Sequence, residues 1–409
     1  MRVLQINAVY GSGSTGKMVE ELHKYLKKNG IESFVACAKG CDHSQSDQFS
    51  IGSSIDMKIH SLCARISGLQ GYSSKKATQE LIRYIRQCNP DIVHLGNLHS
   101  NFVNIKMLFH FLGEEQIATV LTLHDCWFYT GKCSHYTVDN CFKWKTTCGN
   151  CPRLKKDIPS WCFDRTRKML DDKRRSYNGI KKLAVVGVSE WITKEAKQSI
   201  LKEANIICTI HNWINLDIFR EKKEEAAKLK KKLNLNDKYI LLGVAAVWGN
   251  IKGLDTFINI AKLLNNDEII VLIGRLNNVD LPPNIINIPE TKDAEELAVY
   301  YSMADLFLQL SPEESFGKVV AEAMACGTPI ITIDSTANAE LVTSETGFVC
   351  QKDDVQEIIH KIRMQKQNSL KKLNFNCRKR AVEQFDMHSQ LFKYVRLYNL
   401  LLGIDNIKT

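Results

Sequence analysis

Short apolar runs, each followed by an amphipathic stretch, recur along this chain and begin again past its middle. No other feature narrows the fold so far. Residues 3–6 read as a strand and 16–28 as a helix. Strands follow at 33–36, 92–95, 118–123 and 183–188, with helices at 77–87, 101–112 and 165–177. The alternation restarts at residue 222. Helices read at 222–232, 254–264, 294–303, 318–325, 355–384 and 388–402, and strands at 239–244, 269–273, 305–310 and 329–333. Repeated strand–helix alternation predicts parallel sheet with helices on both faces, because parallel strands need a crossover. The expected class is α/β, with two doubly wound halves meeting near residues 211–222. Two such sheets facing each other would place a ligand cleft at their strand ends.

Composition narrows the partners. The chain has 409 residues, 44% hydrophobic and 24% charged, which excludes a largely disordered polymer. Its net charge of +10 suits an anionic partner. Met1-Arg2 leads directly into the first strand, with no leader-like segment. With 14 cysteines, a reducing cytoplasm and mostly free or metal-bound thiols are expected. The longest nearly apolar run, 239–248, falls short of the roughly 18 residues a membrane span needs. No nucleic-acid-binding module is recognisable.

Gly11 to Lys17 follows the first strand and fits G-x-x-x-x-G-K, the phosphate-binding loop. Met18 stands where a Ser or Thr would hold Mg²⁺. The plainer expectation is a Gly/Ser turn, with Gly13 and Gly16 opening the way to a helix N-terminus that attracts anions. The segment from Ser311 to Gly327 is more informative. Glu314-Ser315-Phe316-Gly317 follows a strand, and Gly317 permits a turn into a helix. The amides of Lys318 and Val319 would then face a diphosphate. Glu322 lies farther along that helix, and each carboxylate can accept two hydrogen bonds from a sugar diol. Glu322 suits a ribose and Glu314 a hexose.

Residues 126–162 break the alternation and hold six cysteines. Cys133, Cys141, Cys148 and Cys151 end in a C-x₂-C knuckle, so a structural zinc site is expected, with disulfides or packed thiols as alternatives. Cys126, His135 and Cys162 are spare ligands. From Lys155 to Arg175 the chain is strongly basic, with Trp161 and Phe163 interleaved. That reads as docking onto anionic lipid or as a solvated helix face. His94, His99 and His124 are irregularly spaced, which favours hydrogen bonding at strand ends over a metal cluster.

The Glu314-x₇-Glu322 spacing, with Ala323-Met324-Ala325-Cys326-Gly327 and Pro329 behind it, resembles the retaining glycosyltransferases of family 4. Further matches are Gly243 to Trp248 with Lys252-Gly253-Leu254, Pro90 to His94, Leu123-His124-Asp125, Val186 to Ser189, and His211-Asn212-Trp213 with Asp217 and Phe219. His124 to Trp127, followed by the Cys-rich insertion, resembles a bacterial subgroup that builds surface polysaccharides such as capsule, exopolysaccharide and O-antigen. The resemblance implies the GT-B fold. Residues 1–215 would form an acceptor-side domain, 216–386 a donor-binding domain, and 387–409 a helix crossing back to the first. It also implies a metal-independent hexosyltransferase moving a sugar from a nucleoside diphosphate sugar to a lipid-linked glycan, at the cytoplasmic face of a membrane. In that case Lys252 neutralises the diphosphate, Glu322 holds the ribose, Glu314 binds the transferred sugar and His124 hydrogen-bonds it. Gly13 to Gly16 would line the cleft. Val247 and Ile251 stand where many members carry an Arg, so a second cation would come from Lys318, Lys17 or Arg275. Alternatives are a sugar-nucleotide epimerase or phosphorylase, a P-loop nucleotide-binding protein and a non-catalytic glycan-binding protein.

Overall fold

A computed structural model of the chain describes residues 1–42, 44–277, 279–367 and 371–404. It divides into two compact units. One runs from Met1 to Ile210 and takes back the chain from Leu391; the other spans His211–Gln390. Each is built on one all-parallel sheet among the described residues.

In the first unit, β1 (Arg2–Val9), β2 (Glu32–Lys39), β3 (Gln48–Ser50), β4 (Ile92–Leu95), β5 (Ala118–Leu123), β6 (Leu183–Gly187) and β7 (Ile206–Thr209) lie in the order β3-β2-β1-β4-β5-β6-β7. Val3 pairs with Ser33 on one side and Ile92 on the other, so the strand order reverses at β1 and β4. β4, β5 and β6 are buried throughout, as strands covered by helices on both faces must be. Asn7 ties the loops after β1 and β4 together. Its side-chain N–H donates to the Val9 carbonyl at 2.7 Å, and its Oδ1 accepts the Asn97 amide at 2.6 Å. Cys37 and Cys41 form a disulfide, where the composition suggests thiols. The last helix, Met387–Leu402, sends Tyr394 and Tyr398 to this sheet, hydrogen-bonding Thr122 at 3.1 Å and His94 at 2.8 Å.

In the second unit, β8 (Tyr239–Val247), β9 (Glu268–Arg275), β10 (Ile285–Ile288), β11 (Leu306–Gln309), β12 (Ile330–Ile333) and β13 (Gly347–Cys350) lie in the order β10-β9-β8-β11-β12-β13. Leu241, Ile270, Leu306 and Ile331 belong to one core with Phe257, Ile260, Ile358 and Ile362 from the covering helices. Here the order reverses at β8 and β11. Loops leaving strand ends on either side of such a reversal diverge and leave a crevice between them. Residues 248–253 and 310–317 are those loops.

The 126–162 insertion is irregular apart from a 3₁₀ turn at Lys143–Lys145. It has its own aromatic core, with Trp144 at 4.9 Å from Tyr129 and 5.2 Å from Tyr136 between ring centres.

Candidate functional site

The second unit brings two of the expected residues into contact. Lys252 Nζ donates a hydrogen bond to a Glu314 carboxylate oxygen, and both side chains are only partly exposed. The backbone fixes each of them. Gly253, after Lys252, has φ of 75°, and a Cβ there would lie 2.3 Å from the Leu310 carbonyl oxygen. Only glycine permits both that conformation and that approach. The Glu314 amide donates to Thr336 Oγ1 at 2.8 Å, and its carbonyl accepts the Ala337 amide at 3.2 Å. Ser315 is buried, and Phe316 packs against His211 and Phe385 at 5.8 Å and 5.5 Å.

Gly317 is left-handed, at φ of 84°, and turns the chain into the helix Lys318–Ala325. The first amides of a helix lack intrahelical partners and carry partial positive charge. Lys318 and Val319 therefore supply donors at the same sheet end as Lys252. Glu322 is buried on this helix and accepts a hydrogen bond from Tyr301 Oη at 3.0 Å. Burial, and then the Glu322 charge, push the Tyr301 phenol well above its ordinary range, so it stays a donor. Tyr301 and Thr336 belong to no motif, and sequence reasoning missed them. Val247 and Ile251 are both exposed beside Lys252. The nearby cations are Lys318 and Arg275, whose carbonyl accepts the Trp248 amide at 2.8 Å.

In the first unit, His124 follows β5. Burial holds its imidazole neutral, lowering its pKa to about 4 against the opposing pull of Asp125. A neutral ring offers one donor and one acceptor. Asp125 is engaged by His99 Nε2 at 2.7 Å and by the Trp127 amide at 2.8 Å, which braces the turn behind His124. His94 uses both ring nitrogens, on Tyr398 and on Thr122 at 2.7 Å, so its role is structural.

The helix Gly13–Lys28 follows β1 so closely that only Tyr10, Gly11 and Ser12 separate the two, a short turn ahead of a helix N-terminus. Ser14 to Lys17 are already helical, which leaves no loop of amides to wrap a phosphate. Gly16 instead allows close helix–strand packing, its Cβ position being 3.2 Å from the Val9 carbonyl oxygen.

The structure lends the zinc expectation no support. Cys133, Cys141, Cys148 and Cys151 line one cavity of about 20 Å³. Among the described residues, however, no three metal-ligating side chains are arranged to hold an ion.

The basic helix at 165–177 divides its cations, with Arg165, Arg167, Lys168 and Arg175 exposed and Lys173 turned inward. Lys173 is buried, donating to the carbonyls of Trp127 and Thr130 with its ammonium 3.7 Å from the Trp127 ring centre. Lys168 pairs with Asp172 at 2.8 Å and Arg174 with Asp171 at 3.1 Å.

Comparison with known proteins agrees with this arrangement. Residues 15–218 match the Glycosyltransferase Family 4 domain family, and residues 225–384 match Glycosyl transferases group 1. WcaC of Escherichia coli (strain K12), named for colanic acid biosynthesis, is 24% identical over 88% of this chain and 89% of its own. The N-acetyl-alpha-D-glucosaminyl L-malate synthase of Bacillus anthracis is 25% identical over 54% of this chain, which spans only 60% of that relative's length. A Campylobacter jejuni N,N'-diacetylbacillosaminyl-diphospho-undecaprenol alpha-1,3-N-acetylgalactosaminyltransferase is 26% identical over 51% of this chain and 56% of its own. Among solved structures, Anabaena Alr3699/HepE in complex with UDP superposes with a TM-score of 0.68 at 12% identity, covering 98% of this chain and 99% of that one. At that identity the likeness establishes the fold alone. With one parallel sheet in each unit and both domain matches, the chain belongs to the glycosyltransferases, family 4 in its N-terminal half and group 1 in its C-terminal half.

Proposed function

We propose that this protein is a retaining, metal-independent hexosyltransferase. It would move a sugar from a nucleoside diphosphate sugar to a lipid-linked glycan during assembly of a surface polysaccharide. The observation that carries the reading is the Lys252–Glu314 contact at the strand-order reversal of the second sheet, beside the N-terminus of the helix bearing Glu322. The lysine and the helix amides match a diphosphate, and the carboxylates match sugar hydroxyls. The polysaccharide and undecaprenol-linked chemistry in the names of two relatives supports the acceptor class.

The chemistry follows from where charge develops. Breaking the bond between the sugar's anomeric carbon and the phosphate oxygen puts negative charge on the diphosphate and positive charge on the ring. Lys252 and the amides of Lys318 and Val319 stabilise the first. The acceptor hydroxyl attacks the face the phosphate leaves, and its proton passes to the departing phosphate oxygen. Glu314 orients the sugar by accepting from its hydroxyls, Glu322 holds the ribose, and His124 hydrogen-bonds the sugar as a neutral imidazole. The test is release of nucleoside diphosphate from a panel of UDP- and GDP-sugars, with a synthetic lipid-diphosphate saccharide and EDTA present. Turnover that EDTA leaves intact is expected. Turnover that requires added divalent metal, or release that ignores the acceptor, argues against the reading.

A further inference from the structure

The paired ladder between β11 and β12 runs as far as Gln309 and Thr332. Beyond it, the loop that carries Glu314 leans on the turn at 334–338, which follows β12. The Ser311 carbonyl accepts from Asn338 Nδ2 at 2.8 Å and from Ser335 Oγ at 3.2 Å. Both backbone polar groups of Glu314 go to the next two residues of that turn. Its amide donates to Thr336 Oγ1 at 2.8 Å, and its carbonyl accepts the Ala337 amide at 3.2 Å. The Glu314 carboxylate therefore pivots on a backbone fixed from the neighbouring strand end.

Thr336 is an unexpected residue for this task, because its φ is 44°, in the left-handed region. Among the described residues other than glycine, ten have positive φ, and seven of these are Asn or Asp. Those side chains tolerate the region, whereas a β-branched one crowds its own backbone there. Thr336 is the one β-branched residue of the ten. Such strain persists only where the surroundings over-determine it. Thr336 is half-buried, while Ala337 and Asn338 beside it are buried. What distinguishes its side chain is the hydroxyl that receives the Glu314 amide. Glycine would hold the same backbone without strain, but it offers no acceptor.

We propose that Thr336 is a positioning residue for sugar transfer. Its strained backbone is retained because it sets Oγ1 under the Glu314 amide, and that contact holds the Glu314 carboxylate where it meets the transferred sugar. Thr336 acts through Glu314. Small displacements of a group that orients a reacting sugar lower the rate steeply, which gives the brace its value. The proposal rests on the reading of Glu314 as the sugar-binding carboxylate. It leaves the nucleotide to Lys252, the helix amides and Glu322, so loss of the brace acts on transfer and spares nucleoside diphosphate binding.

The test is a series at one position, Thr336→Ser, Thr336→Gly and Thr336→Val, in the full chain. Turnover of UDP- and GDP-sugars, calorimetric binding of UDP and GDP, denaturant unfolding and hydrogen exchange of the Glu314 amide are read for each. Thr336→Ser keeps the hydroxyl and sheds the branch, so kcat/KM is expected within about twofold of wild type, with no lower unfolding midpoint. Thr336→Gly and Thr336→Val both lack Oγ1. Each is expected to lower kcat/KM by about tenfold or more, on the scale of one lost hydrogen bond, and to speed exchange at Glu314. Their affinity for UDP or GDP is expected to stay within about twofold of wild type. Thr336→Val keeps the strained branch and is expected to unfold at lower denaturant than Thr336→Gly. Turnover thus follows the hydroxyl, and stability follows the strain. Turnover that tracks the unfolding midpoints instead, wild-type turnover in Thr336→Gly, or a Thr336→Ser as impaired as Thr336→Gly overturns the proposal. A wild type that turns over no UDP- or GDP-sugar counts against the functional reading; exchange at Glu314 across the series then still supports or overturns the brace.

Discussion

Lys252 and Glu314 are 62 residues apart in the chain, yet they are hydrogen-bonded partners. Under the proposed function, a bound diphosphate would compete with the Glu314 carboxylate for the Lys252 ammonium, and the two residues would have opposite effects on nucleotide binding. Lys252→Ala is expected to weaken nucleoside diphosphate binding and to lower kcat/KM by about 100-fold or more, the scale of losing one preorganised charge-stabilising donor. Glu314→Gln is expected to leave nucleoside diphosphate binding equal or tighter, because it removes an anion beside the phosphates, while transfer falls. Calorimetric titration with UDP and GDP separates them. Equal weakening by both variants would contradict the competition. Residue type and spacing singled out Glu314 and Glu322 from the sequence, and the family resemblance singled out Lys252. Their partners were not legible, because Tyr301 and Thr336 arrive from other elements through the fold.

Glycines at the strand-end turns control how these residues are presented. Gly253 and Gly317 are both left-handed, but their surroundings differ. A Cβ on Gly253 would meet the rigid Leu310 carbonyl oxygen at 2.3 Å, whereas on Gly317 its nearest neighbour would be the Leu341 side chain at 3.3 Å. Gly253→Ala is therefore expected to destabilise the second unit by about 2 kcal/mol or more, and Gly317→Ala by about 1 kcal/mol. Denaturant melts of the two variants check the ranking, and equal midpoints would refute it. Four elements, 92–95, 118–123, 294–303 and 318–325, match the structure residue for residue. The strands Gln48–Ser50, Ile206–Thr209, Ile285–Ile288 and Gly347–Cys350 went unread; they are the edges of their sheets, mostly half-buried, and lack the fully apolar run of a central strand. The helix Ser54–Ser67 also went unread, although Ile55, Ile59, Leu62 and Ile66 have helical spacing. The four cysteines do line one cavity, but among the described residues no three metal-ligating side chains are placed to hold an ion.

For the molecule as a whole, buried histidines link stability to pH. Burial lowers His60 and His124 to about 4 and His94 to about 3, all from 6.5. Below 6.5 the unfolded chain binds protons that the folded chain refuses, so stability is lost as pH falls from 6.5 toward 4. His99 opposes this: burial is the largest single influence and lowers its pKa, but the Asp125 charge and hydrogen bond together raise it, so its contribution fades as pH rises above 6.5. Burial lowers His23 as well, so four lowered groups outweigh one raised group, and the melting temperature is expected to drop between pH 7 and 5. A flat or rising profile would show that these rings are not held neutral. The central claim is that the strand-order reversal of the second sheet is a nucleoside diphosphate sugar site. The most direct measurement is thermal unfolding with UDP, GDP, ADP and ATP, each with EDTA and with Mg²⁺, on the wild type and on Glu322→Ala. A specific ligand at 100 times its Kd adds about 2.7 kcal/mol, enough to move the midpoint by several degrees. The account predicts stabilisation by UDP or GDP in EDTA that disappears in Glu322→Ala. Stabilisation only by Mg-ATP, unchanged in Glu322→Ala, would contradict it.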